Sequence, residues 1–249
     1  MKKLLLHIPH AAVNIPTYEG FISDKEAINE EIKLLTDWYT DELFESSVDI
    51  KCIAPFSRVF CDVERFPDDA DEVMSKVGMG ALYEKFDNGQ PMRQVTSSFR
   101  HHILLNYYHV HHQQFQKLVE QQLDRQGICL ILDCHSYPSK PLVRDLDQTA
   151  NRPDFNIGID SYHTPHLFIE ISKVYFEQAG YSLGINWPYS GAIVPLVFYK
   201  KNKAVQSIML EINRNLYLHE PGIEKSNRFK EIQAVVQGYM ELLRHAIST

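Results

Sequence analysis

The sequence predicts a single α/β domain in three layers, with a mainly parallel mixed sheet covered by helices on both faces. Three observations carry this. The run Ile128 to Ser136, ICLILDCHS, opens with apolar residues and no polar alternation, the pattern of a strand buried on both faces of a parallel sheet. Strand-like segments alternate along the chain with segments of helical period, the order that builds βαβ units. No internal repeat, low-complexity tract or linker divides the 249 residues, so one core spanning 1–249 is expected.

The elements follow in chain order. Lys2 to Ile8 reads as a first strand, and Pro9, Pro16 and Gly20 bracket a loop that carries His10 and Asn14. Ser23 is placed to cap a helix over Asp24 to Glu45, with apolar residues at helical spacing and an interruption at Thr36 and Asp37. Val48 to Ala54 and Ser57 to Val63 read as short strands separated by Pro55, and an irregular stretch runs on to about Thr96. A loop of that length in a compact domain is functional or disordered, and its apolar GMGALY core argues against disorder. Ser98 to Gln126 is expected to be a helix bearing five histidines, followed by the central strand and a polar, Pro-rich loop, Tyr137 to Arg152. Beyond it come a strand at Phe155 to Ile159, a helix ending near Gln178, strands at Tyr181 to Ile185 and Ser207 to Ile212, and a last amphipathic helix from Ile223 to Ile247.

Composition narrows the function classes. A net charge of −7 argues against nucleic acid or an anionic membrane as the main partner, although a local arginine cluster could still hold an anionic substrate. No stretch approaches the roughly 18 apolar residues of a membrane span, and MKKLLLHIPH is too short in its apolar part for a signal peptide. The four cysteines lie in strand-like runs without CxxC spacing, as expected of buried thiols in a cytoplasmic protein.

The chemistry gathers at strand ends, where open α/β sheets bind ligands. Four of them deliver His10; Asp62 with Glu64 and Arg65; His135; and Glu211 with Arg214. Two imidazoles and a carboxylate form the ligand set of a catalytic zinc with an open position. A separate carboxylate, for which Glu211 is placed, could pass a proton to a leaving amine. Arg58 or Arg65 could polarise a scissile carbonyl or hold a substrate carboxylate. A rival reading makes Cys134 a nucleophile beside His135, but adjacent strand residues point to opposite faces.

These residues sit in motifs that resemble the N-formylglutamate amidohydrolase family, whose members look like distant relatives of the zinc carboxypeptidases and aspartoacylases. The resemblance runs from about His7 to Leu218 through IPHAAVNIP, SRVFCDVERFPDD, GMGALY, LDCHSYPS, HTP at His163 to Pro165, NWPYSGAIVP and LEINRNLYL. It implies a zinc-carboxypeptidase-like fold, one zinc ion, and hydrolysis of a small anionic N-acyl amino acid, N-formyl-L-glutamate first among them, to formate and glutamate. His10 and His135 carry over as metal ligands, Glu211 as the carboxylate that activates water, and Arg58 as the oxyanion-stabilising arginine. Arg65 and Arg214 are implied to hold the substrate carboxylates. Asn213, Tyr189, Ser190, Gly191 and His163 join them as substrate contacts, and His112 falls where the family often has a histidine in its long helix. The relatives take their other metal ligand from a Glu three residues after the first His, where this chain has Val13. Glu64 is therefore expected to supply the third ligand, with Asp62 in reserve. Ala12 stands where the family often has Gly. Another N-acyl amino acid, a small peptide, or ligand binding without catalysis are the alternative functions.

Overall fold

The computed structural model describes residues 2–248 and shows a six-stranded sheet with helices on both faces. The strands are β1 (Leu4–Ile8), β2 (Ile50–Ile53), β3 (Cys129–Tyr137), β4 (Phe155–Gly158), β5 (Leu183–Ile185) and β6 (Val205–Asn213). The helices are α1 (Lys25–Leu35), α2 (Thr40–Leu43), α3 (Ser97–Ile103), α4 (His109–Gln126), α5 (His166–Gln178) and α6 (Phe229–Ala246). The sheet order is β2-β1-β3-β6-β4-β5, and every pairing is parallel except β4 against β6.

Every residue of β1 and β3 is buried, which is why neither shows polar alternation. Leu4, Leu6, Ile8, Leu130, Leu132, Cys134, Ile208, Leu210 and Ile212 pack on one face with residues of α5 and α6. Leu5, Cys129, Ile131 and Val205 pack on the other with Phe115 and Val119 of α4. This period of two sends His7, Asp133, His135 and Glu211 to the α4 side and leaves Cys134 in the opposite core. The chain leaves β1 for β2 on one flank and returns to β3 on the other. That reversal opens a crevice at the carboxyl ends of β1 and β3.

Several local expectations are corrected. Asp24, not Ser23, caps α1, its side chain accepting from the Ala27 amide. The predicted long helix stops at Leu35, because Thr36 turns extended and bonds back to the Ile32 carbonyl through both its amide and its hydroxyl. The backbone then restarts through left-handed Tyr39 into α2. Ser57 to Val63 is not a strand: it turns on itself through Phe60 and Cys61 amides to the Ser57 carbonyl, and the Asp62 amide bonds the Ala81 carbonyl. The long histidine-bearing helix is split by a π-helical turn over Leu104–Tyr108, which shifts the facing of α4 relative to α3. The last helix begins at Phe229 rather than Ile223.

Gly158 matters to the site because a Cβ there would lie 2.0 Å from the Gly191 carbonyl oxygen and 2.5 Å from the Met209 methyl. Only glycine lets the NWPYSG loop lie this close to β4. Gly158→Ala is expected to lower the unfolding free energy by roughly 1–3 kcal/mol, read as a lower urea midpoint at unchanged m-value.

Candidate metal and hydrolytic site

A cleft of about 850 Å³ lies over the carboxyl ends of β1, β3 and β6. Its floor carries His10, Asp37, His135 and Glu211. His10 follows β1 by two residues, and its carbonyl accepts the Asp37 amide at 3.0 Å. The break between α1 and α2 is thus clamped to the end of β1. His135 and Glu211 are direct partners in the β3–β6 register.

His10 and His135 approach with ring centroids 5.1 Å apart. The Asp37 Oδ2 lies 3.1 Å from the His135 Nδ1 and 3.6 Å from the His10 Nδ1. These three residues offer one donor atom each, all within 4.8 Å of one another, and the His10 Nδ1 is buried with no hydrogen-bond partner. Two imidazole nitrogens and a carboxylate converging on an orphaned nitrogen fit a divalent cation such as zinc.

Asp37, which no sequence motif singles out, stands beside both imidazoles, while Glu64, expected as the third ligand, groups with His7 and Asp133 in a second set of possible metal donors. Asp62 Oδ1 sits 2.8 Å from the His10 Nε2, on the far side of the ring. The same carboxylate accepts from the Tyr83 hydroxyl at 2.6 Å and from Arg58 Nη2 at 2.9 Å. Glu64 and Asp133 lie 3.0 and 3.1 Å from the His135 Nε2. The His10 ring is thus held at its Nε2 by Asp62 with its Nδ1 toward the common point, whereas His135 is hydrogen-bonded at its Nδ1 to Asp37, and its buried Nε2 lies near Glu64 and Asp133 without a hydrogen bond. Val13, where a ligand carboxylate was expected, is half exposed.

Electrostatics reinforces this layout. Burial would raise the Asp37 carboxyl, but His10, His135 and Arg214 hold it far below the usual carboxylate range. Arg214 donates from Nη2 to Asp37 Oδ1 at 2.9 Å, from Nη1 to the Leu34 carbonyl, and from Nε to the Ser136 hydroxyl. All three guanidinium nitrogens are thus engaged within the protein, although Arg214, expected as a substrate contact, does line the cleft. His7 stacks on Phe115 at 4.6 Å and lies between Asp133 at 2.9 Å and Glu64 at 3.4 Å. Burial opposes its charge, yet these two carboxylates raise it to about 9. The Nε2 of His7 donates to His111, whose ring burial and the neighbouring His7 charge push down to about 2.

Glu211 is buried, and its Oε2 has no hydrogen-bond partner. Burial lifts its carboxyl to about 8 against the opposing charge of His135. A carboxyl held near neutrality beside a metal-ligand set is suited to accept and return a proton. Arg58 points its Nη1 to within 3.9 Å of Asp37 Oδ1 while its other nitrogens hold Asp62 and receive support from Tyr83. Arg65 also lines the cleft, its Nε without a hydrogen-bond partner.

Other predicted contacts fall elsewhere. His163 is buried outside the cleft, donating from Nδ1 to the Val205 carbonyl and accepting the Lys200 amide at Nε2, so both ring nitrogens are used in a turn. Asn213 donates to the Pro153 carbonyl and accepts the Asn215 amide, and it does not line the cleft. Tyr189, Ser190 and Gly191 do line it. His112 lines it too, with its Nε2 donating to the Val63 carbonyl. Cys134 lies in the core behind the sheet, where burial pushes its thiol well above the ordinary range.

Comparison with known proteins places these features among relatives. A sequence model described as N-formylglutamate amidohydrolase matches residues 2–218. The chain is similar to an N-formylglutamate deformylase of Pseudomonas putida, 22% identical over 254 residues that cover 96% of this chain and 91% of that one. In fold it is similar to the crystal structure of an N-formylglutamate amidohydrolase from Ralstonia eutropha JMP134, at TM-score 0.86 and 21% identity over 100% of this chain and 95% of the other. It is also similar to the crystal structure of a gene product of Agrobacterium tumefaciens, at TM-score 0.67 and 16% identity over 99% and 90% of the two chains.

Removing the Arg214 guanidinium leaves the Asp37 charge buried without its cation. Arg214→Met is expected to cost roughly 3–5 kcal/mol of stability in the metal-free protein, measured by urea unfolding.

Proposed function

The chain belongs to the N-formylglutamate amidohydrolase family, and on that premise we propose that it is a zinc-dependent hydrolase of the amide bond in an N-acyl amino acid, with N-formyl-L-glutamate the first substrate to test. The observation that carries this reading is the convergence of His10, Asp37 and His135 on one point beside the unpartnered Glu211 carboxylate. His10, His135 and Asp37 would hold such a zinc ion, which when bound would supply Lewis acidity toward the carbonyl and lower the pKa of a water toward neutrality.

The protein's own groups do the rest. Glu211 takes the proton of the attacking water at its carboxylate and delivers it to the departing amide nitrogen. Arg58, held in place by Asp62 and Tyr83, presents its Nη1 to the negative charge that develops on the carbonyl oxygen. Arg65 holds a carboxylate of the substrate. Asp62, Glu64 and Asp133 keep the two imidazoles turned inward. The products are a carboxylic acid, formate for a formyl substrate, and the free amino acid.

Metal content and turnover test the two halves of this reading separately. After dialysis against a weak chelator, the wild-type protein is expected to retain zinc near one equivalent by elemental analysis and Asp37→Ala to lose it. Glu64→Gln is expected to keep the ion with affinity weakened about 10–100-fold. Glu211→Gln is expected to keep zinc while kcat for N-acyl amino acid hydrolysis falls by roughly 10²–10⁴. Zinc retained by Asp37→Ala but lost from Glu64→Gln would reverse the ligand assignment.

A further inference from the structure

Each of the four arginines that line the cleft among the described residues already faces a carboxylate. Arg58 and Arg65 stand 2.9 and 3.8 Å from Asp62, Arg152 lies 2.7 Å from Asp145, and Arg214 lies 2.9 Å from Asp37. Glu64 and Asp133 line the same cleft, and among the described residues their ion-pair partners are His7 and His135, with no arginine or lysine. Two carboxylates that open to a cleft on one side and are backed by imidazoles on the other form a cation site where their donor atoms converge and lack hydrogen bonds.

The donors do converge. The His7 Nδ1 lies 2.9 Å from Asp133 Oδ1 and 3.4 Å from Glu64 Oε1. His7, Glu64 and Asp133 offer one donor atom each, all within 4.8 Å of one another. His7 and Asp133 are direct partners in the β1–β3 register, so the sheet itself holds two of the three side by side. The group is also short of hydrogen bonds. Glu64 Oε1 is buried without a partner. So is the Nε2 of His135, a residue 3% exposed that aims this nitrogen at Glu64 Oε2 and Asp133 Oδ1 from 3.0 and 3.1 Å. The His7 ring is fixed from behind, its Nε2 bonded to His111 at 3.0 Å and its face stacked on Phe115 at 4.6 Å. An imidazole held at one nitrogen, with the other turned toward carboxylates, is oriented as metal-bound histidines are.

We infer that His7 Nδ1, Glu64 and Asp133 form a second divalent-cation site, on the Nε2 side of His135 and beside the set made by His10, Asp37 and His135. The ion takes the place of the His7 Nδ1 proton, which leaves to solvent. It enters through the cleft, where the Glu64 side chain is 15% exposed. Because it must replace the contacts that now join His7 to both carboxylates, this is the weaker of the two sites and fills only with metal in excess. One imidazole and two carboxylates suit manganese as well as zinc. An ion here sets positive charge on a wall whose guanidinium groups are already paired, where an anionic ligand would meet it. The site stands on its own donors and not on the hydrolase reading.

Manganese is the probe, because zinc outranks it for the same donors and keeps the stronger site. Manganese(II) chloride is titrated into protein loaded with one equivalent of zinc, followed by calorimetry and by loss of the free-ion EPR signal. Wild type is expected to bind one equivalent of manganese. His7→Gln and Glu64→Gln are each expected to bind it at least about tenfold more weakly. A crystal soaked in manganese is expected to show its anomalous peak between the three side chains. Glu64→Gln removes a charge with little change of shape, so it carries the test if urea unfolding shows His7→Gln to be unstable. Absence of manganese binding in wild type, wild-type affinity in either folded variant, or an anomalous peak elsewhere overturns the inference.

Discussion

The Asp37 carboxylate is the constraint on which the rest of the site depends. It is buried at the one place where the α1–α2 break, the end of β1, the end of β3 and the turn after β6 all meet. Its amide is tied to His10, its Oδ1 to Arg214 and its Oδ2 to the ring of His135. A lone ionised carboxylate at such a depth is strongly unfavourable. Surrounded by a guanidinium and two imidazoles it becomes the element that orders them. The kink that interrupts α1 is the conformational consequence: a continuous helix would carry residue 37 onward along its axis and not down to the sheet.

Around that carboxylate the imidazoles are used on both sides. Their Nδ1 atoms look inward, and their Nε2 atoms look outward to Asp62 for His10 and to Glu64 and Asp133 for His135. The His10 ring, held at its Nε2 by Asp62, presents its Nδ1 without rotational freedom, and the His135 ring is oriented by its Nδ1 bond to Asp37. The His7 cation then offsets the two outer carboxylates next to His135, and neutral His111 accepts a hydrogen bond from the His7 Nε2–H. The chain of contacts from α4 through His7 to His135 is therefore electrostatically closed before any ligand binds.

The cleft above is shaped by loops that carry few regular hydrogen bonds of their own. Two buried ion pairs hold them. Arg152 joins Asp145 and Tyr189 across the 138–152 segment and the NWPYSG loop. Arg144 reaches Glu31 on α1 at 3.0 Å and the carbonyls of Val77 and Lys85. Asp87 accepts the amides of Val143 and Arg144. Segments distant in sequence are thus pinned to common partners beside the cleft.

The sequence alone indicated most of the strands and a mainly parallel sheet, because uninterrupted apolar runs such as LLLHI and CLILDCHS between helical segments fit strands buried on both faces, although Ser57 to Val63, expected to be a strand, turns on itself. The same runs located His10, His135 and Glu211, since polar residues that follow such a strand must emerge at its carboxyl end. Period-two alternation likewise separated Cys134 from His135. Tertiary structure decided which carboxylates lie beside the two imidazoles. The fall-off from helical pattern at Thr36 and Asp37 was visible, but nothing local says that Asp37 meets two histidines, because that contact spans 98 residues of chain to His135. The same holds for the arginines. Arg58, Arg65, Arg152 and Arg214 look alike in sequence, and only the fold tells which guanidinium is already paired, because pairing is a matter of distance in space.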